Sequence, residues 1–260
     1  MLFGYFDESG TDNLLGHTVV SGLVGKVSEW AALDPPWRAE LMRARVPCFH
    51  YVDAKGRNKD YRHFVKDEWK EHVGIMANIV AERHLQLVAG AFSGDWNRCV
   101  SDNEEWQARF PSAYHFCFEL VIEKLRRVSE FYGGEPITVI MSNQNQFSQR
   151  ALKIWDYFHY NNAWKHIAHV GYSCPQTLTQ LQAADAVAYE TRRGLWKGTD
   201  EHWQNELPVT SRLLAKHQER RDVVFDNGYS EQQLLNEMQK PKGTYLKVPP
   251  KYRKGDGEEA

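Results

Sequence analysis

Residues 2–10, Leu-Phe-Gly-Tyr-Phe-Asp-Glu-Ser-Gly, form an apolar run that ends abruptly in two adjacent carboxylates and a Ser-Gly turn. A short run with aromatic enrichment, bounded by turn residues, is the pattern of a buried strand. Asp7 and Glu8 fall where that strand leaves the core. An ionised carboxylate at such a position needs a partner or a metal, because taking it out of water is costly. Asp, Ser and Gly are also ordinary turn residues, so the stretch by itself fits a site and a polar hairpin turn equally. The choice between them depends on what the rest of the chain places nearby.

Residues 16–25 (GHTVVSGLVG) read as the returning arm of a hairpin. Residues 27–42 have helical character broken at Asp34-Pro35-Pro36. A short apolar patch at 48–52 precedes a polar stretch, 53–61, that reads as a loop. Residues 65–83 carry apolar side chains at helical spacing, 84–92 alternate as a strand, and 93–110 read as a Trp-containing loop or insertion. Helices and strands then alternate: a helix over 113–131 ended by Gly133-Gly134, a strand over 137–141, a helix over 148–159, a strand over 167–172 and a helix over 178–195. A helical or irregular segment follows at 203–217. Hairpin strands first and alternation afterwards predict an α/β domain over residues 1–235, a mixed sheet flanked by helices with helical insertions. Residues 236–260 contain prolines, glycines and a basic run before an acidic end, and are expected to be disordered.

A chain of 260 residues, 42% hydrophobic and 25% charged, can bury one full core. Its net charge of −2 excludes a uniformly basic nucleic-acid-coating protein and leaves room for a local basic patch. There is no basic leader, Asp7 interrupts the first apolar run, and no stretch approaches the roughly 18 apolar residues of a membrane span. A cytoplasmic protein without a membrane partner is expected. Cys48, Cys99, Cys117 and Cys174 are scattered with no CxxC pair, which speaks against a zinc site and for reduced thiols.

Two further acids qualify as companions of Asp7. In Leu181-Gln-Ala-Ala-Asp-Ala-Val-Ala-Tyr-Glu190, Gln182, Asp185 and Tyr189 share a stripe beside the apolar face. The density of alanines implies close approach to a sheet or another helix, so Asp185 borders a packed surface. An Asp paired with Arg192 is the plainer alternative. Glu119 lies one turn from His115 in a very apolar helix, with pairing to His115 or a lysine as its plain reading. Three acids on one strand and two helices suit Mg²⁺ or Mn²⁺, which take oxygen ligands and activate water for phosphodiester cleavage. His50 is a candidate proton shuttle with Asp53 beside it, although a packed His and a loop Asp account for them as well. The tryptophans fit core or interface packing better than base stacking, and leave a homodimer or a protein partner open.

The Tyr-Phe-Asp-Glu-Ser-Gly start, Phe49-His50, His115-Phe-Cys-Phe-Glu119 and Leu-Gln-Ala-Ala-Asp-Ala-Val-Ala-Tyr together resemble a bacterial and phage family catalogued as domain of unknown function 3800. The resemblance spans roughly residues 3–193 and implies a ribonuclease H-like fold and a metal-dependent nuclease acting on nucleic acid, in a phage-defence or mobile-element setting. By position, Asp7 is similar to the family's leading acid, Glu119 to its middle acid and Asp185 to its late helical acid. Glu8, His50 and Gln182 take substrate-binding or supporting roles. One departure stands out: the strand over 137–141 runs into Ser142-Asn143-Gln144-Asn145-Gln146, where ribonuclease H-like nucleases usually place an acid. Either Asn143 or Gln144 contacts substrate, or one metal position is weakened, because amide carbonyls are poorer ligands than carboxylates. The alternative is a non-catalytic module that binds nucleic acid or protein on the same fold.

Overall fold

Six strands build one mixed sheet: β1 (Leu2–Ser9), β2 (His17–Lys26), β3 (Gln86–Ser93), β4 (Ile137–Ser142), β5 (Ile167–Ser173) and β6 (Tyr229–Ser230). The structure is a computed structural model and describes residues 1–10, 16–65, 67–143, 148–160, 164–197 and 229–239. The strand order is β5-β4-β1-β2-β3-β6. β1, β2 and β3 pair antiparallel, whereas β4 runs parallel to β1, β5 to β4, and β6 to β3. The carboxyl ends of all strands except β2 therefore lie at one edge. From β1 the chain turns to β2 on one side and comes back later to β4 on the other. Ligands in open α/β sheets bind outside strand carboxyl ends at such a change of direction.

Helices cover both faces. On one face lie α4 (Trp96–Val100), α5 (Glu104–Arg109), α6 (Ala113–Phe131), α7 (Ser148–Tyr160) and α9 (Glu231–Met238). On the other lie α1 (Val27–Ala44), α2 (Tyr51–Gly56), α3 (Glu68–Ala81) and α8 (Thr179–Lys197). Leu2 and Phe6 of β1 pack into the first layer, Phe3 and Tyr5 into the second, as a period of two demands. A Cβ on Gly90 would stand 2.2 Å from the Cys117 carbonyl, so this glycine lets α6 lie directly on β3. On the opposite face, Ala183, Ala184, Ala186 and Ala188 are fully buried, and their small size brings α8 close to β1 and β2. Among the described residues no helix is long and apolar enough to cross a membrane, and the four cysteines are free thiols.

Several local expectations change. α1 continues through Pro35 and Pro36 instead of breaking. The two prolines deprive the Ala31 and Ala32 carbonyls of their helical donors, but both alanines are exposed to water. Buried Leu33 and Trp37 flank the prolines and hold the helix to the core. Residues 53–61 are not a loop: α2 and a short 3-10 turn, Lys59–Tyr61, occupy them. Buried Tyr51, Ala54 and Tyr61 supply the packing that so short a helix needs. The expected 93–110 loop contains α4 and α5, capped by the Asp95 and Asn103 side chains. The tail boundary at 236 falls inside α9. Gln144, the 203–217 segment and residues 240–260 lie outside the described residues.

Candidate active site

β1 sends its two acids to opposite faces. Asp7 follows Phe3 and Tyr5 toward α8, and Glu8 follows Phe6 toward α6. Gly10, with φ at +82°, then starts the turn to β2; a Cβ there would meet the His17 carbonyl at 2.0 Å. Asp7 is only 7% exposed. Its Oδ1 accepts the Glu8 backbone N–H at 2.9 Å, and the Ser142 hydroxyl donates to the same carboxylate from the end of β4.

Asp185 faces it from α8. The Tyr51 backbone N–H at the start of α2 donates to Asp185 Oδ2 at 2.7 Å, and His50 Nε2 stands 3.8 Å from Oδ1. His50 is itself oriented: its Nδ1 lies 2.8 Å from Asp53 Oδ2, an oxygen that also accepts from Lys59 Nζ at 2.8 Å. Gln182, one turn before Asp185, is 1% exposed and holds the surrounding backbone. Its Oε1 accepts from Trp37 Nε1 at 2.9 Å and from the Phe49 N–H at 3.0 Å, and its Nε2 donates to the Pro175 carbonyl at 2.8 Å. The residue expected in a supporting role thus joins α1, the 49–51 segment and the turn before α8.

The two acids are electrostatically unsatisfied. Burial, and then the charges of Glu8 and Asp185, push the Asp7 carboxyl well above the usual carboxylate range, against the Glu8 N–H and Ser142. Asp185 is also raised by burial, with partial relief from His50 and the Tyr51 N–H. Burial acts on Asp53 in the same sense, but Lys59 and His50 outweigh it and hold that carboxyl below its ordinary value. Among the described residues no lysine or arginine forms an ion pair with Asp7 or Asp185. A pair of this kind can share a proton or accept a cation.

Glu119 does not join them. It lies on α6, across the sheet, where Arg109 grips it through two guanidinium nitrogens. The helical spacing placed Glu119 correctly on a buried face, but α6 packs on β2 and β3 from the side that Asp7 turns away from. Burial raises its carboxyl, with Arg109 opposing. The expected three-acid metal set is therefore not assembled: among the described residues no three His, Cys, Asp or Glu side chains gather as a metal cluster. Glu8 also turns to the α6 side of the sheet. It faces Tyr114 and Tyr172, whose hydroxyls are 3.5 Å apart; burial foremost, with the Glu8 charge adding, raises both phenols, Tyr172 to about 12.

Asn143 is exposed, and its backbone N–H bonds the Ser173 carbonyl at 2.9 Å. The sequence reading missed Tyr51 and Lys59. The i, i+3 spacing of His50 and Asp53 was the available signal, although a backbone N–H donor leaves none. At the same edge of the sheet, His17, Ser93, Asp95 and Glu231 border an open cleft of about 640 Å³. No family model, curated protein or solved structure matches the chain.

Proposed function

We propose that the protein is a Mg²⁺- or Mn²⁺-dependent phosphodiesterase that cleaves nucleic acid on a ribonuclease H-like scaffold, with Asp7 and Asp185 as its metal ligands. The observation that carries this reading is that buried Asp7, at the end of β1, faces the largely buried Asp185, with no lysine or arginine ion-paired to either among the described residues. The sheet order, antiparallel on one side of β1 and parallel on the other, supports the scaffold. The residues fit such a metal in its usual form. Mg²⁺ is commonly held by one or two carboxylates, with waters and substrate phosphate oxygens completing its shell, and does not need an all-protein cage. When bound, it would stabilise charge on the phosphate and make a coordinated water more acidic.

The chain's own residues prepare the site. The Tyr51 N–H fixes Asp185, while the Glu8 N–H and Ser142 fix Asp7. His50, steered by Asp53, presents Nε2 toward Asp185, where it can hold or release a proton. The test is cleavage of an RNA, DNA and hybrid panel with Mn²⁺ by the wild type and by Asp7→Asn and Asp185→Asn. Loss of cleavage in both variants is expected; full retention in both overturns the mechanism. Ser142, standing where a third acid was expected, favours one other reading, a binding module without catalysis. Oligonucleotide binding with no thermal response to millimolar Mn²⁺ would select that module.

A further inference from the structure

The segment that completes the acid pair also carries a concentration of positive charge. Residues 53–62 hold Lys55, Arg57, Lys59 and Arg62 against Asp53 and Asp60, in a chain whose overall balance is −2. Tyr51, at its start, binds Asp185 through its N–H and stacks on Tyr189 with ring centroids 4.6 Å apart. Lys55, one turn later, donates to the Tyr189 hydroxyl at 3.2 Å and lies 5.5 Å from that ring's centre. Lys59 reaches back to Asp53 at 2.8 Å. Arg57, Lys59 and Arg62 are exposed, and the segment is tied to the acid pair at its start, through the Tyr51 N–H and His50 beside Asp185.

Its backbone turns sharply at two of these cations. Arg57 and Lys59 both adopt left-handed conformations, with φ of 52° and 45°. Gly56 and Asn58, residue types that tolerate this conformation, sit one position before each and do not use it; Asn58 has φ −98°. Long cations therefore occupy the two strained positions although better-suited residues are adjacent. At Arg57 this conformation ends α2, as Arg45 ends α1, and it leaves the Arg57 side chain exposed.

We propose that residues 55–62 form a phosphate-gripping rim, which holds the backbone of a nucleic-acid strand beside Asp7 and Asp185. The identity of the strand's target bond rests on the phosphodiesterase reading; the rim itself does not. Spaced cations along an exposed segment match the spaced charges of a phosphate backbone. An anionic bilayer presents the same charge, and the vesicle arm of the experiment separates it from a nucleic-acid strand.

The experiment is fluorescence anisotropy of the full chain with a labelled single-stranded oligonucleotide, in EDTA so that no metal chemistry contributes. The salt dependence is compared for the wild type, for Arg57→Gly/Arg62→Ala and for Arg57→Lys/Arg62→Lys. Glycine accepts the left-handed backbone at 57, so the neutralised variant is expected to fold with an unchanged or higher Tm. It should bind about tenfold more weakly, and its slope of log K against log salt should fall by about 1.4, near 0.7 for each lost phosphate contact. The lysine variant should keep the wild-type slope. Equal affinity and slope in wild type and neutralised variant overturn the rim. So does a wild type that binds anionic vesicles but no oligonucleotide. If the rim result holds while no Mn²⁺-dependent cleavage is found, only the phosphodiesterase chemistry falls.

Discussion

Replacing Gln182 with Ala is expected to cost about 3–5 kcal/mol, because one buried amide satisfies three separate backbone and side-chain groups. The groups are the Trp37 indole N–H, the Phe49 N–H and the Pro175 carbonyl, at 2.9, 3.0 and 2.8 Å. Trp37 and Phe49 are 0% and 1% exposed, so water has little access to the two donors. A buried polar group left without a partner costs about 1–3 kcal/mol, and relaxation into the small cavity returns part of the sum of three. Gln182→Glu separates the donors from the acceptor. A carboxylate still accepts from Trp37 and Phe49, but its second oxygen faces the Pro175 carbonyl, so about 2–4 kcal/mol is expected from repulsion and buried charge. Urea denaturation with unchanged m-values measures both. The same variants should lose Mn²⁺ response and cleavage, since Phe49, His50 and Tyr51 are consecutive and Tyr51 positions Asp185. A Gln182→Ala protein destabilised by less than about 1 kcal/mol, with wild-type Mn²⁺ response, would refute the reasoning.

Two further outcomes follow from the same geometry. In EDTA, Asp7→Asn should stabilise the protein at pH 7 by about 1–3 kcal/mol, because the native carboxyl is buried and raised. A raised native value gives stability that is full below the ordinary carboxylate value of 3.8 and is lost as pH rises through the native one, so the wild-type Tm should decline across that window more steeply than the variant's. Parallel declines would remove Asp7 as the cause. Glu119→Gln should destabilise by about 1–3 kcal/mol by removing the carboxylate charge that pairs with the 11%-exposed Arg109, yet keep the Mn²⁺-dependent rise in Tm. Loss of that rise in a folded variant would return Glu119 to the site.

What could be read in advance, and what could not, divides along physical lines. α6 and β4 were legible because their periodicity is strong and glycines or polar residues bound them. Asp7 and Asp185 were legible as burial anomalies, carboxylates on elements that otherwise pack. Glu119 is the same kind of anomaly, and nothing in a single helix reports which side of a sheet it will cover. That depends on whether a later crossover returns above or below β1. The continuity of α1 through Pro35 and Pro36 depends on Trp37 and Leu33 being anchored, a tertiary fact. The 51–61 segment carries too few residues for a periodic signal, and its helix is held by Tyr51, Ala54 and Tyr61 in the core.

The alternation of β1 bears on the charge of the site as well as on its membership. Asp7 and Glu8 point away from one another, yet the Glu8 charge still raises Asp7 through the strand, and Asp185 raises it from the front. Three carboxylates thus act on one strand end, two of them on the face that opens toward His50. Lys59 is engaged by Asp53, and His50 leans on the same Asp53 oxygen. Asp53 therefore holds Lys59 and the His50 ring together, with His50 Nε2 3.8 Å from Asp185. A single added proton neutralises one carboxylate of the facing pair and leaves the other ionised. On the phosphodiesterase proposal, a divalent cation held by Asp7 and Asp185 would answer both charges. The proposed phosphate chemistry requires an acidic floor with cations at its edge; a buried structural acid pair does not. In that second case a cation would be expected to contact the acids directly.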